Sequence, residues 1–180
     1  SSRATLPTTM KMTTMIDKQH LPLAGQRRKA REFALLGVYE SLINKDADFA
    51  EIDAGLLSVI TDADGPIAGC DLTPEDFDHC DQAFCREILA GVIDNRAKLE
   101  EVLSHHVDRE LTRLSMIERA CLTIGTWELM NCPETPYRVV INEAVELCKQ
   151  FGSDKGYKLV NGVLDKVAGE VRPHEAAAKK

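Results

Sequence analysis

Residues 136–166 read PYRVVINEAVELCKQFGSDKGYKLVNGVLDK, and this stretch predicts two helices joined by a tight turn. In the first helix, apolar residues recur at spacings of three and four, which is typical of a buried helical face. They are Ile141, Ala144, Val145, Cys148 and Phe151. The second helix carries a similar stripe, formed by Tyr157, Val160, Val163, Leu164 and Val167. The pattern predicts two helices that bury one face each.

Two glycines lie in this pair of helices, one at the end of the first helix and one inside the second. Gly152 follows the last apolar position of the first helix, where a left-handed residue commonly ends a helix. Ser153 and Asp154 are suited to cap the next helix. Gly162 lies inside the second helix, where a glycine costs about 1 kcal/mol of helix propensity. We therefore expect Gly162 to face another helix at close range.

The rest of the chain predicts further helices and no strand. We expect helices over about 27–44, 49–60, 74–92, 96–107 and 115–131, the third capped by Thr73 and the fifth by Ser115. The buried face of the first comprises Ala30, Phe33, Ala34, Val38 and Leu42, and leaves Arg28 and Arg31 off that face. This predicts an all-α protein of about seven helices. Residues 25–168 form its domain, with two packed lobes at 25–107 and 108–168, between a disordered arm (1–24) and a polar tail (169–180).

Composition excludes several classes of protein. No apolar run approaches the ~20 residues that span a bilayer, and no signal peptide is recognisable, so we expect a cytoplasmic protein without membrane contact. The six cysteines form no CxxC pair, which favours a reducing compartment. His79, His105 and His106 with Cys80 and Cys85 match no standard zinc spacing, so no metal or cofactor is expected. No nucleophile elbow or phosphate-binding glycine loop supports an enzyme.

Charge is distributed unevenly along the chain. The net charge is −7, yet residues 1–31 hold seven cations against one acid, while residues 46–78 hold ten acids and no Lys or Arg. Four of the cations lie at the start of the first helix, where positive charge opposes the helix dipole. They are Arg27, Arg28, Lys29 and Arg31. A bound polyanion would offset that cost, although an ordinary solvated basic face is the simpler interpretation.

Aromatic and basic residues accompany two other predicted helix starts. Tyr39 lies on the first helix, and mixed charge and stacking surfaces are typical of RNA sites. Arg138 begins the helix of residues 136–151, and Lys155, Tyr157 and Lys158 begin the next one, where backbone N–H groups attract phosphate. These residues are candidates for a groove that binds a single strand of RNA.

These segments resemble the bacterial transcription antitermination factors of the NusB family. PYRVVINEAVELCKQFGS and KLVNGVLDK are similar to the C-terminal signature of that family, and RRKARE at 27–32 is similar to its N-terminal RNA-binding segment. The resemblance covers about residues 26–167. One departure is Leu159, since the family usually carries an aromatic residue before Val-Asn-Gly.

The resemblance implies a function that composition alone does not. A member of this family is expected to bind the boxA single-stranded RNA of ribosomal RNA leader transcripts. It does so with NusE, a small-subunit ribosomal protein, in the RNA polymerase antitermination complex that reads through terminators. Glu118 matches the family pattern Glu-Arg-Ala and would then contact the partner protein, although it also fits the capping position of its helix.

Two other interpretations stay open at this point. The first is a helical protein–protein interaction module without RNA binding, in which a homodimer could cover the basic segment. The second is the RNA-binding appendage of a ribosomal RNA methyltransferase, a class that carries a similar domain. The chain has no cofactor-binding βαβ region, so only a fragment of such an enzyme would fit.

Overall fold

The longest of the described helices, α1 (Leu23–Ile43), packs against helices from both halves of the chain. The computed structural model describes residues 21–61, 70–152 and 155–178. Within them, eight further α-helices follow: α2 (Phe49–Thr61), α3 (Pro74–Asp78), α4 (Gln82–Asp94), α5 (Arg96–Ser104), α6 (Met116–Asn131), α7 (Tyr137–Phe151), α8 (Gly156–Val171) and α9 (Pro173–Ala178). A 3₁₀ turn covers Leu111–Arg113, and these ranges contain no strand. The all-α prediction is confirmed.

Capping side chains set two helix starts as the sequence predicted. The Thr73 hydroxyl accepts a hydrogen bond from the Asp76 N–H, and the Asp76 carboxylate accepts one from the Thr73 N–H, forming a capping box. The Ser115 hydroxyl likewise accepts from the Glu118 N–H at 3.1 Å. Each cap satisfies a backbone donor that has no partner within its helix.

The core is one continuous cluster that draws on both predicted lobes. Helix α1 packs against α4 on one side and against α6 on the other, while α6, α7 and α8 pack on one another. The predicted apolar stripes of α1, α7 and α8 face this core: all five residues named on α1 are buried, as are four of the five on α7 and four of the five on α8. Phe151 and Tyr157, the remaining two, are partly buried against it.

The structure divides residues 74–94 into two helices where the sequence predicted one. Helix α3 ends at Asp78, and the chain turns before Asp81 caps α4 by accepting a hydrogen bond from the Phe84 N–H at 3.0 Å. Asp is a strong N-cap residue because its side chain replaces the missing backbone acceptor. A cap signal within a continuous apolar pattern therefore marks a helix start that periodicity alone does not show.

The C-terminal end also differs from the predicted polar tail. Helix α8 extends to Val171, and α9 follows at Pro173–Ala178. Between them, Arg172 is only 9% exposed and its guanidinium donates hydrogen bonds to backbone carbonyls at and beyond the end of α6, those of Glu128, Leu129, Cys132 and Thr135. A cation at a helix C-terminus satisfies orphan carbonyls and complements the dipole. Residues 1–20 of the predicted arm lie outside the described residues, and residues 23 and 24 belong to α1.

Two glycine predictions in the C-terminal pair are wrong. Gly152 has φ −99° rather than a left-handed conformation. A Cβ there would lie 2.7 Å from the Cys148 carbonyl oxygen and 3.2 Å from Ile117, so close approach requires the glycine. Gly162 has open space where its side chain would project, not a neighbouring helix. The predicted cap at Ser153 and Asp154 lies outside the described residues.

None of the described helices is long and apolar enough to cross a membrane.

Gly91 and Gly162 provide a matched pair of substitutions. A Cβ on Gly91 would lie 2.0 Å from Nε1 of the buried Trp127, so Gly91→Ala should destabilise the protein by about 1–3 kcal/mol through overpacking. Gly162→Ala should leave stability unchanged or raise it by up to about 1 kcal/mol through helix propensity. Urea denaturation of both variants measures the difference. Equal losses at the two positions would show that Gly162 is packed after all.

Candidate nucleic-acid interface

Helix α1 begins at Leu23, four residues before the predicted start, so the four cations lie in its second and third turns and not in the first turn, where the helix dipole acts. The predicted cost of opposing the dipole therefore does not apply. Two of the four cations point into the protein. Arg31 is 4% exposed and donates from Nε to Glu128 Oε2 at 3.0 Å and from Nη2 to Glu128 Oε1 at 2.5 Å. The guanidinium of Arg27 lies 3.8 Å from the centroid of the Phe84 ring, and that of Arg31 lies 5.2 Å from it. The prediction that Arg31 lies off the buried face is therefore wrong. The spacing of apolar residues along the sequence cannot predict a buried arginine, because the carboxylate that pairs with it lies 97 residues away.

The other two cations are accessible to solvent. Arg28 is 61% exposed, and its Nε donates to the two carboxylate oxygens of Glu143 on α7 at 3.2 and 3.1 Å. This hydrogen bond and the charge of Glu143 raise the pKa of Arg28. Lys29 is 33% exposed, with Nζ 3.3 Å from a carboxylate oxygen of Glu32. The accessible charge at this helix start is therefore Arg28 and Lys29, and each has an acidic neighbour.

Helix α7 runs between this helix start and a second basic group. Arg138 is exposed in its first turn, with the guanidinium 5.3 Å from the Tyr137 ring centroid. Lys149, in its last turn, lies with Nζ 4.9 Å from the centroid of the half-buried Tyr157 ring. Glu143 and Lys149 are six residues apart, which corresponds to about 9 Å of helix. The helix thus contacts both groups.

The second basic group surrounds the start of α8. Lys155 and Lys158 are exposed on either side of the half-buried Tyr157. Lys158 also lines a cavity of about 200 Å³. Its other lining residues are His106, Val107, Asp108, Arg109, Leu159, Gly162, Val163 and Lys166. Lys158 therefore connects the start of α8 to a cavity that also contains Arg109 and Lys166.

Tyr39 and Glu118 have less accessible positions. Tyr39 is half-buried against the core, 11 residues after Arg28, or about 16 Å along α1. Glu118 is half-buried, with a carboxylate oxygen 3.1 Å from the Ser115 hydroxyl. A Cβ on Gly156 would lie 3.0 Å from Glu118 Cγ, so α8 begins directly against this side chain. Glu118 therefore takes part in the capping of α6, whatever else it contacts.

Sequence reasoning did not identify several residues that shape this surface. Glu143 neutralises Arg28, Lys149 flanks Tyr157, and Arg109 and Lys166 share the cavity with Lys158. Lys149 and Lys166 are visible as cations near the segments of interest. Glu143 carries no local signal, since its partner is 115 residues away.

The fold places the protein in the class of all-α domains, and its described surface carries exposed basic residues on α1, α7 and α8. Comparison with known proteins identifies the family. Residues 28–169 match the NusB family model. The transcription antitermination protein NusB of Ralstonia pickettii is 42% identical over 164 residues, which cover 91% of this chain and 95% of that protein. That of Burkholderia lata is 44% identical over 154 residues, 86% of this chain and 95% of that protein.

Solved structures agree on the fold. NusB of T. maritima aligns with a TM-score of 0.66 and 25% identity, over 84% of this chain and 96% of that chain. A chain of the complex of NusB and NusE with double-stranded RNA aligns with a TM-score of 0.61 and 19% identity, over 81% and 97% of the two chains. The chain belongs to the NusB family; it is a transcription antitermination protein and not an enzyme.

Arg31 and Arg28 should respond differently to truncation. Arg31→Ala leaves Glu128 buried without its partner, and should cost about 3–5 kcal/mol of stability. Arg28→Ala removes an exposed ion pair, worth about 0–1 kcal/mol. Urea denaturation of the two variants measures both losses. A loss below 1 kcal/mol for Arg31→Ala would contradict a structural role for the Arg31–Glu128 pair.

Proposed function

We propose that this chain binds the boxA single-stranded RNA of ribosomal RNA leader transcripts. It does so together with NusE, the small-subunit ribosomal protein, in the RNA polymerase complex that reads through terminators. Membership of the NusB family supports the class of function. A NusB of similar fold is found with NusE and double-stranded RNA, which supports the choice of partners. The observation that supports RNA binding by this chain is the exposed side chain of Arg28, which contacts Glu143 on α7. The same helix α7 also contacts the basic group around Tyr157, through Lys149.

The proposed contacts divide the named residues by role. Arg28, Lys29, Arg138, Lys155 and Lys158 are the residues proposed to neutralise phosphates, because their side chains reach solvent or its edge. Tyr157 is proposed to offer a stacking surface for an unpaired base, and Tyr39 a second one. Arg27 and Arg31 enter the proposal as residues that hold the start of α1 in place.

Glu143 competes with RNA for Arg28 in the proposed site. Its carboxylate holds Arg28 and lies 3.8 Å from Arg31 Nη1, so an RNA phosphate has to compete with it for Arg28. The exchange replaces one carboxylate contact by one phosphate contact. A strand whose phosphates match several cations at once gains more than it loses, whereas an isolated anion gains little.

Two variants should shift RNA affinity in opposite directions. Arg28→Ala should weaken binding and reduce the log–log salt slope by about 0.7, the share of one phosphate contact for a single strand. Glu143→Gln should strengthen binding, because Arg28 loses its internal carboxylate. Fluorescence anisotropy of a labelled boxA-like RNA at several salt concentrations, with and without NusE, measures both effects. Glu51→Gln on α2 is the matched control for Glu143→Gln, because it removes one negative charge from an exposed side chain that does not contact Arg28.

Scrambled and duplex RNAs test the specificity of that binding. Binding that is selective for boxA and tightens with NusE supports the proposal. Equal affinity for every RNA would reduce it to a charged surface, and no binding at all would favour a protein–protein interaction module or a homodimer.

The proposed partner contact of Glu118 is separable from its capping role. Glu118→Lys reverses the charge at the start of α6 and should weaken NusE binding at least tenfold while RNA affinity of the free chain stays unchanged. Ser115→Ala is the control, because it removes the cap, at a cost of about 1 kcal/mol, and keeps the Glu118 carboxylate. Calorimetric titration with NusE compares the two variants. Equal weakening by both would assign the effect to the cap.

A further inference from the structure

His105, His106 and Glu170 meet on the surface where two helices end. The two histidines directly follow α5, and Glu170 lies in the last turn of α8. His105 Nδ1 lies 3.0 Å from Glu170 Oε1, and His106 Nε2 lies 2.8 Å from the same oxygen. Glu170 could not be grouped with the two histidines from sequence alone, because 64 residues separate it from His106.

We propose that these three side chains form a binding site for a divalent transition metal ion, with Zn²⁺ as the ion to test. Two imidazole nitrogens and one carboxylate oxygen are a donor set that zinc sites in proteins use, with a fourth position left for water. The nitrogen and oxygen donors also match the preferences of related transition ions, while Mg²⁺ and Ca²⁺ favour oxygen alone.

The three ligand atoms are near enough to share one ion once the side chains move: the two histidine nitrogens, which lie within 4.8 Å of each other, have to approach to about 3.3 Å. Bonds of about 2.0–2.2 Å to a tetrahedral ion place its ligand atoms roughly 3.3 Å apart. The carboxylate of Glu170 therefore has to withdraw from each nitrogen by a few tenths of an ångström. Its side chain is 36% exposed, and nothing in the geometry of a solvated glutamate prevents that movement.

A bound ion would replace the hydrogen bonds within the cluster. The histidine nitrogens that face Glu170 hydrogen-bond its carboxylate and lower the pKa of that group, so metal–ligand bonds would have to take the place of these two contacts. A neutral imidazole can carry its proton on the ring nitrogen that points away and offer the other to a metal. The exposures of His105 and His106, 51% and 19%, leave room for water to complete the coordination.

A bound ion would join the two halves of the chain. Helix α5 closes the first half, and α8 belongs to the second, with the segment 105–115 running between them. The His106 ring also borders the cavity lined by Arg109, Lys158 and Lys166. A metal ion at Glu170 would thus fix the start of the connecting segment against α8, next to that cavity.

Calorimetric titration of ZnCl₂ into the full, chelator-treated chain tests the proposal. We expect one equivalent to bind, and Glu170→Gln and His106→Ala each to weaken it at least tenfold. The amide of Glu170→Gln still accepts hydrogen bonds from the histidines, so this variant keeps the fold while losing a ligand. His79→Ala is the control, since His79 lies beyond α3, outside the cluster, and it should leave the affinity unchanged.

Cobalt substitution identifies the ligands independently. Co²⁺ bound to nitrogen and oxygen donors shows visible ligand-field bands without thiolate charge-transfer absorption, and Glu170→Gln should abolish those bands. Thiolate absorption would place the ion at the cysteines instead and overturn the proposal. Absence of saturable Zn²⁺ binding, or equal binding by the wild type and Glu170→Gln, would overturn it as well.

Discussion

The buried ion pair of Arg31 and Glu128 joins the N-terminal half of α1 to α6. The two side chains are 4% and 1% exposed, so both charges have left water and depend on each other. Their two parallel hydrogen bonds supply the geometry that a buried pair requires. Because 97 residues separate the partners, the pair connects the first half of the chain to the second.

The inward position of Arg31 determines where its neighbours point. At 100° per residue, Lys29 lies on the opposite side of α1 from Arg31, and Arg28 lies about 60° from it, towards α7. Glu143 on α7 contacts both Arg28 and Arg31, at 3.1 and 3.8 Å. One basic segment therefore serves two purposes: part of it holds the core together, and part of it remains on the surface.

Periodicity and capping chemistry explain why so much of the fold was predictable. The stripes of α1, α7 and α8 repeat at three and four residues, and Thr73 and Ser115 cap as expected, because these signals are local. Two of the failures concern partners distant in sequence: Arg31 needs Glu128, and Arg172 needs the end of α6. Others have local causes, since Asp81 caps α4 and the Cys148 carbonyl restricts the space at Gly152.

The candidate site follows the same division. Its accessible basic residues, Arg28, Lys155 and Lys158 among them, were visible as cations at predicted helix starts. Two neighbours, Glu143 and Lys149, were not identified, because they come to Arg28 and Tyr157 only through the packing of α7. Counting the cations in the sequence therefore overestimates the positive charge that is accessible to a ligand.

The same packing explains how a chain of net charge −7 can favour a polyanion. Electrostatic attraction depends on the local field, and screening limits the reach of distant charges to about 10 Å. Glu143 pairs directly with Arg28, so under the proposed function this carboxylate sets the competition that RNA must overcome. Affinity then depends on the number of cations engaged together. Under the proposed function, we expect a strand that reaches both α1 and the start of α8 to bind, and one that reaches only Arg28 to leave the Arg28–Glu143 pair in place.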